Sequence, residues 1–237
     1  MIPTPRLAAT VILLRPAEQR GFEVFLTRRP EDMRFLGGMY CFPGGILRKE
    51  DSCDAMVRRT AGLTPHRARQ ILGAQFAPKE ALGLWVAAIR ELFEEVGILL
   101  TVDKAKNRTI MDSVMKARLA EKHAALLGNS LSFQTCLESE SLFCDASALG
   151  YFSHWQTPPE ESMRFDTHFF LTASPADQFP LPTSPEVIHS LWLTPDRGLQ
   201  MFGKGQLPMI FPTFASLRTL ADFDSIDSVW KEFGVRQ

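Results

Sequence analysis

Arg90-Glu91-Leu92-Phe93-Glu94-Glu95-Val96-Gly97-Ile98 is the stretch that decides the fold, and it closes a longer helical pattern that begins near Ala81. Projected at about 100° per residue, Leu82, Trp85, Val86, Ile89, Leu92, Phe93 and Val96 fall within an arc of about 120°. That arc is the expected buried face. Glu91, Glu94 and Glu95 fall within about 100° on the opposite side, because spacings of three and four bring side chains together. Gly97 supplies a C-terminal stop, since glycine adopts the left-handed conformation that ends many helices. Ala87 and Ala88 flank the acidic face one turn earlier and are expected to leave room in front of it.

Three carboxylates on one face repel, and the repulsion grows where water is excluded. Arg90 reaches Glu94 at i+4, but one guanidinium cannot neutralise three acids. A hard divalent cation can, and Mg²⁺ characteristically takes one or two protein carboxylates while keeping waters and phosphate oxygens. The competing reading is a solvated acidic helix face.

The rest of the chain sets the frame. Its 237 residues carry a formal net charge of −1, with 45% hydrophobic and 22% charged residues, close to globular averages. This excludes a disordered, collagen-like or polyelectrolyte chain. By segment the balance is uneven, +6 over 1–130 and −7 over 131–237, so a small anionic ligand could be drawn to the first part. Basic stripes with interleaved aromatics are lacking, which argues against nucleic acid. Cys41, Cys53, Cys136 and Cys144 form no C-x-x-C pair, so reduced, inert thiols in a cytoplasmic protein are expected. The apolar runs are short of the roughly 20 residues a membrane span needs.

Along the chain, Ala8–Leu14 and Phe22–Thr27 read as two strands, with Pro16–Gly21 as the turn of a hairpin. Met39–Phe42 is a third apolar run, ended by a turn at Pro43-Gly44-Gly45. Residues 52–80 form a basic helical excursion. Thr109–Leu127 and Ser132–Leu137 read as helices, Gly150–Gln156, Phe165–Thr172 and Val187–Thr194 as strands, and Phe211–Ala221 and Ile226–Phe233 as closing helices. Strands and helices without a regular βαβ rhythm predict an α+β fold with a mixed sheet.

The quoted stretch matches every fixed position of R-E-U-x-E-E-x-G-U, where U is a bulky aliphatic residue, and Phe42-Pro43-Gly44-Gly45 precedes it. In this the sequence resembles the Nudix hydrolase family, whose box begins G-x5-E and continues seven residues before the arginine-glutamate pair. Two departures stand out. Asp51, beside Glu50, occupies the position of the box's first glutamate, and 38 residues separate it from Arg90. A loop that leaves and returns to the same place costs only a logarithmic closure term, so an intact site is expected with 52–84 as an excursion. The resemblance implies an α/β/α sandwich, a single domain over 1–237 and helical insertions at about 52–84 and 104–149.

The resemblance further implies hydrolysis of a nucleoside diphosphate linked to another group, with Mg²⁺ or Mn²⁺ held by Glu91, Glu94 and Glu95. Arg90 orients these acids, and Gly44 or Gly45 offers a backbone carbonyl. Glu94 or Glu95 holds or deprotonates the attacking water; coupled carboxylates do not allow a choice between them. A further acidic ligand is sought among Glu160, Glu161 and Glu186.

Upstream, Leu26-Thr27-Arg28-Arg29-Pro30, then Arg34, Gly38 and Phe42-Pro43-Gly44-Gly45 resemble the pattern of the coenzyme A diphosphatase branch. Pro30 stands where Ser or Ala is usual and removes an amide donor. Arg29 and Arg34 offer forked donors to phosphate oxygens, against the alternative that they pair with Glu31 and Asp32. Trp155-Gln156-Thr157-Pro158 and Arg164-Phe165-Asp166-Thr167-His168-Phe169-Phe170 are similar to segments of the long-insert members, and Arg164 is a minor candidate for substrate contact. The expected reaction is cleavage of coenzyme A or acyl-coenzyme A to 4′-phosphopantetheine, or its acyl form, and adenosine 3′,5′-bisphosphate. Hydrolysis of ADP-ribose or a dinucleotide, or a non-catalytic ligand-binding module, are the alternatives. A small-molecule partner is expected, without nucleic acid or membrane, and a homodimer is allowed without being specified.

Overall fold

The computed structural model describes residues 3–33, 35–181 and 184–234. In chain order its strands and helices are β1 (Arg6–Pro16), β2 (Phe22–Arg28), β3 (Tyr40–Cys41), β4 (Gly44–Ile46), α1 (Asp54–Arg58), β5 (Thr60–Ala61), α2 (Pro65–Leu72), α3 (Pro78–Val96) and β6 (Thr101–Val102). Then follow α4 (Ser113–Leu127), α5 (Phe133–Ser139), β7 (Phe143–Asp145), β8 (Gly150–Gln156), β9 (Phe165–Ala173), β10 (His189–Leu193), α6 (Pro195–Gly203), α7 (Phe211–Leu220) and α8 (Ile226–Phe233). A short 3-10 turn at Lys49–Ser52 precedes α1.

The main sheet runs β10-β2-β1-β9-β8, with β3 added to β2 and β4 to β1. It is mixed: β1 pairs antiparallel with β2 and β4 and parallel with β9. The apolar run Ala8–Leu14 forms the centre, where both faces of a strand are covered. Ala9, Val11 and Leu13 face a core shared with α3, whereas Ile12 and Leu14 face a second core with residues of α7 and α8. Trp85 of α3 is fully buried, 4.8 Å from the Phe170 ring of β9. Burying one such side chain contributes about 1.5–3 kcal/mol. The layers are therefore helix, mixed sheet and helix, as expected.

Three features depart from the sequence reading. α3 starts at Pro78, a residue suited to a first helical turn, instead of Ala81. Pro43 makes the bend, but Gly44 and Gly45 begin strand β4, held to β1 by the register Thr10↔Gly44 and Ala9↔Gly45. A Cβ on Gly44 would lie 2.4 Å from the Ala9 carbonyl oxygen, so only glycine permits this approach. Finally, α6 and a second sheet, β5-β7-β6, are elements that the sequence reading did not place. That small sheet joins the two long excursions, since Thr60 of the first pairs with Cys144 of the second.

Candidate active site

The C-terminal half of α3 carries the acids, and its end is set by Gly97, whose φ of 73° is left-handed and whose N–H donates to the Phe93 carbonyl. Glu91, Glu94 and Glu95 do share a face, but that face is covered. Each is only 7% exposed, and Ala81 to Val96 are all buried. The expected space in front of Ala87 and Ala88 is filled, because β1, β4 and the 3-10 turn pack against the helix. A solvated acidic face is thereby excluded.

Arg90 is the hub. Its Nε and Nη2 donate to the two oxygens of Asp51 at 2.8 Å each, and Nη2 also donates to the Ile46 carbonyl at 2.9 Å. Nη1 donates to Glu91 at 2.6 Å and to Glu94 at 3.0 Å. Arg90 and Asp51 are 2% and 3% exposed. The 38-residue gap therefore leaves the junction whole. Asp51 gains its reach from the 3-10 turn, where its carboxylate also accepts from the Arg48 backbone N–H at 2.8 Å.

Glu94 is occupied by a residue the sequence reading overlooks. Arg48 donates to its two oxygens at 2.9 and 2.8 Å. Nothing in the pattern marked Arg48, which lies unremarked between Gly45 and Asp51. A cleft of about 360 Å³ opens beside this pair, bounded by the 3-10 turn and the α4–α5 connection. From α4, His123 Nε2 donates to the Glu94 backbone carbonyl at 2.9 Å, so the second excursion braces the acidic helix.

Glu95 has different neighbours. It accepts from the Gly44 N–H at 3.3 Å, and its carboxyl is held well above the usual range by burial, then by the like charges of Glu91 and Glu186. Arg29 lies near enough to oppose that rise and is 3.9 Å from Glu186. Burial likewise raises the Glu91 carboxyl. A Cβ on Gly45 would come within 2.5 Å of the Glu91 carboxyl group, so the glycine strand lies directly on the acids.

All three additional acids considered are exposed, but only Glu186 lies near this group, beside Arg29 and Glu95, while Glu160 and Glu161 stand in the β8–β9 connection. Arg28, rather than Arg29, pairs with Glu31. The buried Arg29 Nε has no hydrogen-bond partner among the described residues. Arg34 lies outside the described residues. Arg164 serves the fold, donating to the Thr157 and Pro3 carbonyls at 3.1 and 2.8 Å. The four cysteines are free, and burial pushes Cys41 up to about 11.

A mixed sheet between helices, with an arginine-anchored acid group on one helix lying against a glycine strand, defines a Nudix-type domain. The chain belongs to the family described as the NUDT19 Nudix domain, which matches residues 4–220. It is similar to the acyl-coenzyme A diphosphatase NUDT19 of Xenopus laevis, 27% identical across 89% of this chain and 62% of that relative. The human acyl-coenzyme A diphosphatase NUDT19 is 25% identical across 92% of this chain and 65% of its own. The chain thus spans less than two thirds of the length of both. A Nudix hydrolase crystal structure from Alicyclobacillus acidocaldarius superposes with a TM-score of 0.75 at 26% identity, covering 100% of both chains. Among the described residues, no helix is long and apolar enough to cross a membrane.

Proposed function

We propose that this chain is a diphosphatase, dependent on Mg²⁺ or Mn²⁺, that hydrolyses coenzyme A or acyl-coenzyme A to 4′-phosphopantetheine, or its acyl form, and adenosine 3′,5′-bisphosphate. The observation that carries the reading is the packing of the buried Glu91 and Glu95 carboxyls against Gly44 and Gly45, with the exposed Glu186 nearby. The activity named for the similar NUDT19 proteins supports the substrate class.

The donor set fits a hard cation. Glu91 and Glu95 supply carboxylate oxygens in a group where five acids, Asp51, Glu91, Glu94, Glu95 and Glu186, meet three guanidiniums, Arg29, Arg48 and Arg90, and oxygen ligands are what Mg²⁺ requires. Glu94 joins them when Arg48, 46% exposed at its side chain, swings away, and the Gly44 carbonyl is a further donor. When bound, such a cation neutralises diphosphate oxygens and lowers the pKa of a bound water. Glu95, whose described hydrogen bond is from the Gly44 N–H and which no described arginine hydrogen bond occupies, takes the proton of the water that attacks phosphorus. Arg90 keeps Glu91 and Glu94 in register from its anchor on Asp51. Arg29, and Arg34 by resemblance, bind substrate phosphate; Gly45 leaves the space that a side chain would take from the acids.

The same reading treats 1–237 as one domain with insertions at 52–84 and 104–149, acting on a small molecule in the cytoplasm. The test is a substrate comparison with Mg²⁺: coenzyme A, an acyl-coenzyme A, ADP-ribose and a dinucleoside polyphosphate. Preferred release of adenosine 3′,5′-bisphosphate from the first two is expected. Faster cleavage of ADP-ribose or the dinucleotide replaces the substrate assignment, and binding without turnover of any of the four overturns the catalytic one.

A further inference from the structure

His154 on β8 and Asp166 and His168 on β9 place one donor atom each within 4.8 Å of the others. None of the described hydrogen bonds or ion pairs of Glu91, Glu94 or Glu95 involves them. His154 and His168 are directly opposed across the ladder. Asp166 precedes His168 by two residues, so the pleat puts both on the same face. The two imidazole rings stack at 4.7 Å with 21° between their planes.

His168 is 2% exposed and fixed on several sides. Its Nδ1 lies 3.1 Å from the Tyr151 hydroxyl, and its ring stands edge-on to Phe76. Its Nε2 is buried with no hydrogen-bond partner among the described residues. The nearest carboxylate oxygen, Asp166 Oδ1, is 3.8 Å away, beyond hydrogen-bond range. A surface pair between His154 and Asp166 leaves this buried nitrogen unexplained, and buried polar atoms are normally satisfied. Burial favours the neutral imidazole. In the tautomer that donates Nδ1–H to the Tyr151 oxygen, Nε2 directs its lone pair toward the cluster.

We propose that His154, Asp166 and His168 form a second metal site that takes one borderline transition-metal ion, Zn²⁺ or a similar ion, with the remaining coordination open toward solvent beside His154. Two imidazoles and one carboxylate match the ligand types of such ions, whereas Mg²⁺ favours oxygen alone. Outer partners are in place: Tyr151 orients His168, and Gln156 donates to Asp166 Oδ2 at 3.3 Å, leaving Oδ1 directed inward. Such partners set ligand orientation in metal sites. His154 is exposed, which provides an entry path. The ion joins edge strand β8 to β9 across a ladder whose register shifts between Tyr151 and Ser153, and binding only the folded chain stabilises it.

The test titrates the chelator-treated full chain with Co²⁺ in excess Mg²⁺, which occupies the all-oxygen set on α3. Visible absorption saturating at one equivalent and displaced by Zn²⁺ is expected. His154→Ala, at an exposed position, should weaken binding by at least tenfold while leaving the metal-free thermal midpoint unchanged. Tyr151→Phe should weaken it by about tenfold. Zn²⁺ should raise the midpoint of the parent and not of His154→Ala. Co²⁺ binding of equal strength in the parent, His154→Ala and Asp166→Asn overturns the site. These readouts do not depend on which substrate, if any, the helix acids cleave.

Discussion

Asp51 and Arg90 meet through two hydrogen bonds of 2.8 Å, both side chains buried, although 38 residues separate them in sequence. This contact holds the glycine strand, the 3-10 turn and the acidic helix in one geometry. Removing one partner of a buried pair leaves the other charge uncompensated, at a cost of about 3–5 kcal/mol. Asp51→Ala is therefore expected to lower the thermal midpoint by roughly 6–12 °C for about 3 kcal/mol in a chain of this size. An unchanged midpoint in calorimetry would show that the junction does not support the fold.

Glu95 ties pH to stability. Its carboxyl is raised well above the ordinary value, by burial first and by Glu91 and Glu186 next. A raised carboxyl contributes stability that is fully present below the unfolded value and lost as pH rises through the folded one. In chelator at neutral pH, Glu95→Gln is expected to raise the thermal midpoint. The gain should vanish at pH 4. A gain independent of pH would assign the effect to packing.

Arg48 holds two oxygens of the Glu94 carboxylate, so under the proposed metal-dependent mechanism it would compete with a cation for that residue. Arg48→Ala should reduce the Mg²⁺ concentration that gives half-maximal activity by about threefold to tenfold, a range that corresponds to roughly 0.6–1.4 kcal/mol. A raised Mg²⁺ requirement would mean that Arg48 assembles the site instead of blocking it.

Arg29 lies 3.9 Å from Glu186 and close enough to act on Glu95, and its buried Nε has no hydrogen-bond partner among the described residues. Arg29→Ala should raise KM for coenzyme A about tenfold or more, in line with a lost charge-assisted contact of roughly 1.5–3 kcal/mol, with a smaller effect on a simpler diphosphate. Equal losses on both substrates would contradict a role in recognising coenzyme A.

Much of this arrangement was legible in the amino-acid order. The alternation in Phe22–Thr27, the buried run Ala8–Leu14 and the 3.6-residue period of α3 are local signals, and the strands and helix follow them closely. The burial of Glu91, Glu94 and Glu95 was not legible, because periodicity separates apolar from polar faces without saying what lies over the polar one. Arg48 escaped for the same reason: its partner is 46 residues away. Strands β5, β6 and β7 have only two or three residues each, too few to show a period of two. The continuity of a divided site was readable from the matching halves, but the role of Asp51 required the turn that carries it.

The central claim concerns the acids on α3, and the rate of coenzyme A hydrolysis by Glu95→Gln relative to the parent, with Mg²⁺ and with folding checked by thermal melt, tests it most directly. A fall of at least about a hundredfold is predicted, the scale of a lost general base, with the variant as stable as the parent or more so. A Glu95→Gln chain that remains folded and releases adenosine 3′,5′-bisphosphate at the parent's rate would contradict the account.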